Sequence, residues 1–252
     1  MLQSQIINLD NITLNYNAFN NKSILITGCT DGIGKAVALE CAKHNANLIL
    51  LGKNARKLDK LKTEIQELYN NTPDLLLFDL EKAGFEHYEE LANTLSQKHQ
   101  KLDILLHNAA ILGVKTDINN YPILDWFKTM QVNLNSPFIL TQTLLPLLKK
   151  SNQAELIFTT APEGFNSQAY YGAYAISKAG INNLAEILSL ELESNTNINV
   201  NTINPNKVLT KLRNKSFPGE DKRNLLLPEN IVGYYLYLMS NPDRLNGVCL
   251  DI

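Results

Sequence analysis

Thr27-Gly28-Cys29-Thr30-Asp31-Gly32-Ile33-Gly34 joins a short apolar run at 23–27 to an amphipathic pattern over 33–44. Three glycines between a strand and a helix are the local context that a dinucleotide-binding turn needs. Without side chains they let the backbone approach a pyrophosphate, and the N-terminus of the following helix favours its charge. Gly28, Thr30, Asp31, Gly32, Ile33 and Gly34 are therefore the expected cradle. The bland alternative is a tight turn that binds nothing. Asp31 also has the wrong sign for a phosphate neighbour.

Working outward, short apolar runs alternate with helical patterns to the end of the chain, the signature of parallel βαβ units. The expected strands are 23–27, 48–51, 75–79, 104–108, 155–160, 197–203 and 248–251. The expected helices are 33–44, 55–69, 85–98, 123–150, 173–193 and 228–239, with a kink or early end in the fourth because of Pro137 and Pro146. This predicts a single α/β domain over 23–252: a Rossmann-like, doubly wound, seven-stranded parallel sheet flanked by helices. Residues 1–22, polar and Asn-rich, read as a surface extension.

The second expected strand closes without the acid that would grip the ribose of NAD. Lys53 and Arg56 stand there instead, beside Asn54, and a cation at that place suits the 2′-phosphate of NADP. The cofactor reading is NADP, with NAD second; the alternative is that both cations are simply solvated.

Further along, Tyr174 and Lys178 lie four residues apart on one face of a predicted helix. A nearby cation favours the phenolate and should lower the tyrosine pKa toward working pH, which suits acid–base chemistry.

With Asp79-Leu80, Asn108-Ala109, Asn133 and the segment Pro205 to Thr210 in the same order, the chain resembles the short-chain dehydrogenase/reductase family over roughly residues 21–252. The resemblance implies Tyr174 as general acid/base and Lys178 as its partner and a ligand of the nicotinamide ribose. It implies Asn133 at a proton-relay water, Asp79 at the adenine, Asn108 along the cofactor cleft and Thr210 at the carboxamide end. It further implies a homodimer or homotetramer built on the long helices. A missing tail beyond Ile252, which many relatives use in subunit contacts, favours the dimer.

Three positions depart from the family pattern. Ala161 stands thirteen residues before Tyr174, where relatives carry a substrate-orienting serine. Ala110 and Asn206 replace the usual glycines of the N-A-G and P-G motifs. Thr160, or Ser167 if the register shifts, is the candidate substitute hydroxyl. The implied function is an oxidoreductase that interconverts a carbonyl and a hydroxyl on a small molecule. Its rival is a cofactor-binding sensor or scaffold with little turnover.

Composition narrows the rest. The 252 residues include 23 Lys and Arg against 25 Asp and Glu, a net charge of −2, which gives no basic face for nucleic acid or anionic lipid. No apolar run approaches the roughly 18 residues of a spanning helix, and the N-terminus shows no leader pattern. Three scattered cysteines and four scattered histidines suggest neither disulfides nor a metal site, so a reducing cytoplasm is expected. His107 reads as a satisfied buried histidine, and Trp126, Phe127 and Met130 as a packing face. The sequons at Asn11 and Asn214 are taken as chance, and the basic segment 207–223 as charges balanced elsewhere.

Overall fold

A computed structural model describes residues 2–7 and 14–252. Its strands are β1 (Gln3–Ile6), β2 (Ser23–Thr27), β3 (Asn47–Gly52), β4 (Asp74–Leu77), β5 (Ile104–His107), β6 (Ala154–Thr159), β7 (Ile198–Asn204) and β8 (Val248–Asp251). The helices are α1 (Gly32–Lys43), α2 (Ala55–Tyr69), α3 (Phe85–Lys98), α4 (Ile123–Met130), α5 (Ser136–Leu148), α6 (Gly172–Glu193), α7 (Lys211–Ser216) and α8 (Pro228–Ser240). The strands form one parallel sheet in the order β1-β8-β7-β6-β5-β2-β3-β4.

The strands bury both faces, and their residues divide by parity as a pleat requires. Ile24, Ile26, Leu48 and Leu50 pack with α1, α2 and α8, whereas Leu25, Ile49, Leu51 and Leu105 pack with α3, α5 and α6. Leu50 is fully buried. Truncating it to Ala would cost about 2–5 kcal/mol through lost transfer energy and the cavity left behind.

The sheet has eight strands rather than seven. Gln3–Ile6, expected as part of a surface extension, pairs in parallel with Val248–Asp251 and forms one edge. Ile6 is 87% exposed, so within the strand the pairing rests on backbone hydrogen bonds and the Ser4 hydroxyl bond to Asp251, while Leu2 and Ile7 at its ends pack against the two core clusters. The sequon at Asn11 lies outside the described residues.

The break expected in the fourth helix is a π-helical turn, Gln131–Asn135, between α4 and α5. Pro137 has no N–H, so the Asn133 carbonyl loses its ordinary helical donor, and the Ser136 N–H reaches back five residues to the Gln131 carbonyl. Pro146 is accommodated inside α5. His107 is buried as expected: Nε2 lies 2.8 Å from Thr141 Oγ1, the ring stacks on Phe158, and burial pulls its pKa down to about 3. Cys29, Cys41 and Cys249 are buried free thiols. Among the described residues no helix is long and apolar enough to cross a membrane.

Candidate active site

From β2 the chain winds outward to β3 and β4, then returns to β5 and winds the other way, so the strand order reverses between β2 and β5. The loops that diverge from the carboxyl ends of these two strands leave a crevice, where ligands bind in open α/β sheets. A cleft of about 380 Å³ opens there.

The glycine turn forms one wall. Gly28 (φ +66°) and Gly32 (φ +51°) adopt the left-handed conformation, and a Cβ on Gly28 would sit 2.8 Å from the Ala109 backbone. Gly34 lies beneath the turn, with room for no side chain between Asn108 Nδ2 and the Gly28 carbonyl, each 2.5 Å from a Cβ placed there. Asn108 braces the turn by donating from Nδ2 to the Thr27 and Gly28 carbonyls at 3.3 Å. Thr27 Oγ1 in turn accepts from the N–H groups of Asn108 (3.0 Å) and Ala109 (3.1 Å). Thr27 is a positioning residue that sequence reasoning quoted without assigning it a role.

Asp31 accepts from the Gly32 N–H at 3.0 Å and so caps α1. It also pairs with Lys211 of α7, across the mouth of the cleft, and lies 3.6 Å from Lys57. Burial opposes its ionised form, but Lys211, the Gly32 N–H and Lys57 outweigh it and hold the carboxyl below its usual range. The wrong-sign charge in the cradle is thus neutralised by two lysines.

Gly28, Thr30, Asp31, Gly32, Ile33, Lys53, Asp79, Leu80, Asn108, Ala109, Lys178, Pro205 and Thr210 all line the cleft. Asn54 does not. It caps α2 by accepting from the Lys57 N–H at 3.0 Å, and it borders a neighbouring depression shared by Thr30, Lys53 and Lys57. Arg56 is exposed and borders neither space, so Lys57 takes the place expected of it. That substitution follows from the cap: the helix begins at Ala55, which turns residue 57 rather than 56 toward Thr30.

The chemically reactive end gathers Thr160, Ala161, Glu163, Tyr174 and Lys178. Tyr174 is 6% exposed and, among the described residues, its hydroxyl has no hydrogen-bond partner. Lys178 is fixed from β6, donating from Nζ to the Thr159 carbonyl at 2.7 Å. The expected depression of the tyrosine pKa is not found in this ligand-free arrangement. Burial, reinforced by the charge of Glu163, pushes the phenol up, because the ammonium faces the Thr159 carbonyl and sits 5.8 Å from the ring centroid. Burial likewise pulls Lys178 down to about 8, with Glu163 opposing.

Asn133 is 2% exposed and does not line the cleft. Its Oδ1 accepts from the Ile111 N–H at 2.9 Å, and its Nδ2 donates to the Ile111 carbonyl (2.9 Å) and to Ser177 Oγ (3.0 Å). The side chain therefore clamps the β5 loop to α6, leaving only its backbone carbonyl for a water. Ala161 shares a small apolar cluster with Leu112, Tyr171, Tyr174 and Ala175 and lines the cleft. Thr160 Oγ1 is buried without a partner, while Ser167 is exposed and outside the cleft. Asn206 takes the left-handed conformation (φ +52°) that the usual glycine would adopt.

Half of the six cations in the basic segment are paired with acids. Arg213 makes two 2.6 Å bonds to Glu220, Arg223 binds Asp221, and Lys211 binds Asp31.

Comparison with known proteins agrees with this geometry. The family model for short chain dehydrogenase matches residues 22–221. The chain is 37% identical over 225 residues to the protein named uncharacterized oxidoreductase YciK of Escherichia coli K12, covering 89% of this chain and 88% of that one. The solved short chain dehydrogenase from Pseudomonas syringae superposes with a TM-score of 0.92 at 36% identity, covering 96% of this chain and 98% of that one. One from Escherichia coli CFT073, solved in complex with NADPH, gives 0.91 at 36% identity, covering 94% and 98%. A chain whose glycine turn, braced asparagine and buried Tyr–Lys pair converge at the switch point of such a sheet, and whose sequence matches over this span, belongs to the short-chain dehydrogenase family of oxidoreductases.

Proposed function

We propose that this protein is an NADP(H)-dependent oxidoreductase that interconverts a carbonyl and a hydroxyl on a small molecule, with Tyr174 handling the proton. The observation that carries the reading is the meeting of a buried, unpartnered phenol and a buried lysine in the same cleft as the glycine turn. Bound NADPH would supply the hydride. Gly28 to Gly32 would hold its pyrophosphate, and Lys53 and Lys57, which border the adjoining depression, would hold its 2′-phosphate. The E. coli CFT073 relative, solved with NADPH, supports that choice over NAD.

The chain's own residues do the remaining work. Tyr174 gives its proton to the carbonyl oxygen as the carbon is reduced, and takes it back in oxidation. Lys178 rotates from the Thr159 carbonyl toward the ribose and the phenol. Asn133 holds the π turn and Ile111 in register. Thr160, whose hydroxyl is buried without a partner among the described residues, would turn toward the cleft to serve as the donor for the substrate oxygen in place of a serine. The scaffold alternative is not favoured, since the relatives are named as oxidoreductases.

The working unit in this reading is a cytoplasmic homodimer. Its contact is the apolar face of Ile123, Leu124 and Phe127 on α4 with Ile187 and Leu190 on α6, all exposed in the single chain.

Replacing Tyr174 by Phe tests the chemistry. Calorimetry should show NADPH binding unchanged, while NADPH oxidation over a panel of ketones, aldehydes and quinones should vanish. Activity that survives Tyr174→Phe would rule the mechanism out.

A further inference from the structure

Glu163 is a carboxylate that the chemistry above does not use. It sits in the short turn Pro162–Gly164, directly after Ala161, is 7% exposed, and lines the cleft beside Tyr174. The turn is pinned on α6: Asn182 Nδ2 donates to the Gly164 carbonyl at 3.3 Å, and a Cβ on Gly164 would meet the Lys178 backbone at 2.9 Å. Its side chain therefore has little freedom to swing out to water.

None of the described residues makes a hydrogen bond or ion pair with this carboxylate. The neighbouring cations are engaged elsewhere: Lys178 with the Thr159 carbonyl, Arg213 with Glu220, Lys211 with Asp31, and Lys115 with the Ser216 carbonyl and Tyr171 hydroxyl. A carboxylate recessed in a cleft, on a residue 7% exposed and with no contacting cation, is a group that a cationic ligand entering the cleft can complete. Leu212 and Phe217 contribute apolar and aromatic surface to the same cleft, beside the paired Arg213 and Ser216.

We propose that Glu163 is the substrate-recognising group of this site, and that it binds the protonated amine of an amino alcohol or amino ketone whose carbinol or carbonyl oxygen faces Tyr174. The assignment rests on the oxidoreductase reading for the second half of that statement and on the unpartnered carboxylate for the first. It has a chemical corollary. Glu163 opposes ionisation of Tyr174, so an ammonium group bound between them removes that opposition and makes the phenol a better base for oxidising its own substrate.

Calorimetric titration of the NADP⁺-loaded protein with matched ligands decides it. Phenylethanolamine should bind about tenfold or more tightly than styrene glycol, and ethanolamine more tightly than ethylene glycol, as expected for a charge-assisted bond in a dry site. Glu163→Gln should erase the difference while leaving NADP⁺ affinity intact, and Tyr174→Phe should keep it. In the unmodified protein the amine preference should fall as pH rises through the amine's own pKa. Equal affinity for amine and glycol, or a preference that persists in Glu163→Gln, overturns the proposal. If NADP⁺ itself fails to bind, the cofactor reading is at fault. The same pairs titrated against the nucleotide-free protein then decide the role of Glu163 on the same two outcomes.

Discussion

Replacing Ala161 by Ser asks whether this site works without the hydroxyl that the family pattern would place there. Ala161 is 6% exposed and touches Tyr174 within a small apolar cluster that includes Leu112 and Tyr171. A new Oγ there points at the place where a substrate oxygen would meet Tyr174. One preorganised donor to a developing oxyanion is worth about 10²–10³ in rate, or ~3–4 kcal/mol. Before substrate arrives, the same hydroxyl is buried among apolar atoms at a cost of about 1–3 kcal/mol. For a chain of this length that lowers Tm by roughly 2–10 °C. The expected signature is therefore a pair of opposite changes: turnover on a ketone and quinone panel rises by roughly tenfold or more, while calorimetry shows a less stable ligand-free protein. Thr160→Val is the companion. If Thr160 is the working donor, its loss collapses the rate and Ala161→Ser restores it. A folded Ala161→Ser protein with unchanged NADPH affinity and unchanged turnover would refute the assignment of this position.

NADPH should bind more tightly than NADH, and Lys57→Asp or Lys53→Asp should weaken NADPH by roughly tenfold while leaving NADH almost unaffected, as competitive titration of the two nucleotides would show. Tyr174 is held up first by burial and then by Glu163 from the Pro162–Gly164 turn, with Tyr171 on its own helix adding to it and Arg213 of α7 opposing. Removing the Glu163 charge lowers the phenol, so the rising limb of the pH profile for oxidation of a neutral alcohol should move to lower pH in Glu163→Gln. An unmoved or upward-shifted limb would contradict that sign. Light scattering at micromolar concentration should give a dimer, and Leu190→Glu, placing a charge at a residue 68% exposed in the single chain, should give a monomer.

Much of this was legible because the deciding signals are local. The parity of apolar residues in 24–26 and 48–51 is enough to bury both faces of a parallel sheet, and a glycine turn between strand and helix has few other uses. Asn206 could be expected in a left-handed turn because its side chain tolerates it. What escaped depends on long-range contacts. Ser4-Gln5-Ile6 carries no strand-like apolar pattern because its pairing with β8 is made by backbone groups and the Ser4–Asp251 contact. Lys57 is recognisable only once the Asn54 cap fixes where α2 starts. A single glutamate in a polar loop looks solvated in sequence, and Glu163 becomes notable only when α6 closes over it. The direction of the Tyr174 shift was missed for a related reason: spacing brings Lys178 onto the same helix face, but the Thr159 carbonyl decides where its ammonium goes.

The edge strand β1 has a consequence for the order in which the chain can assemble. Among the described residues it pairs with β8 alone, and the Ser4–Asp251 contact spans 247 positions. Closing a loop of that size costs about 2 kcal/mol more than closing one of some 25 residues, the size of a typical crossover. Residues 3–6 are made before the other seven described strands, yet they have their pairing partner only once β8 has been made and laid beside β7. Docking of β1 is therefore a closing event, one that reads out whether the whole sheet has formed. Ile6 stays in water even when paired, so the apolar contacts given up when this strand undocks are those of the partly buried Leu2 and Ile7 at its two ends.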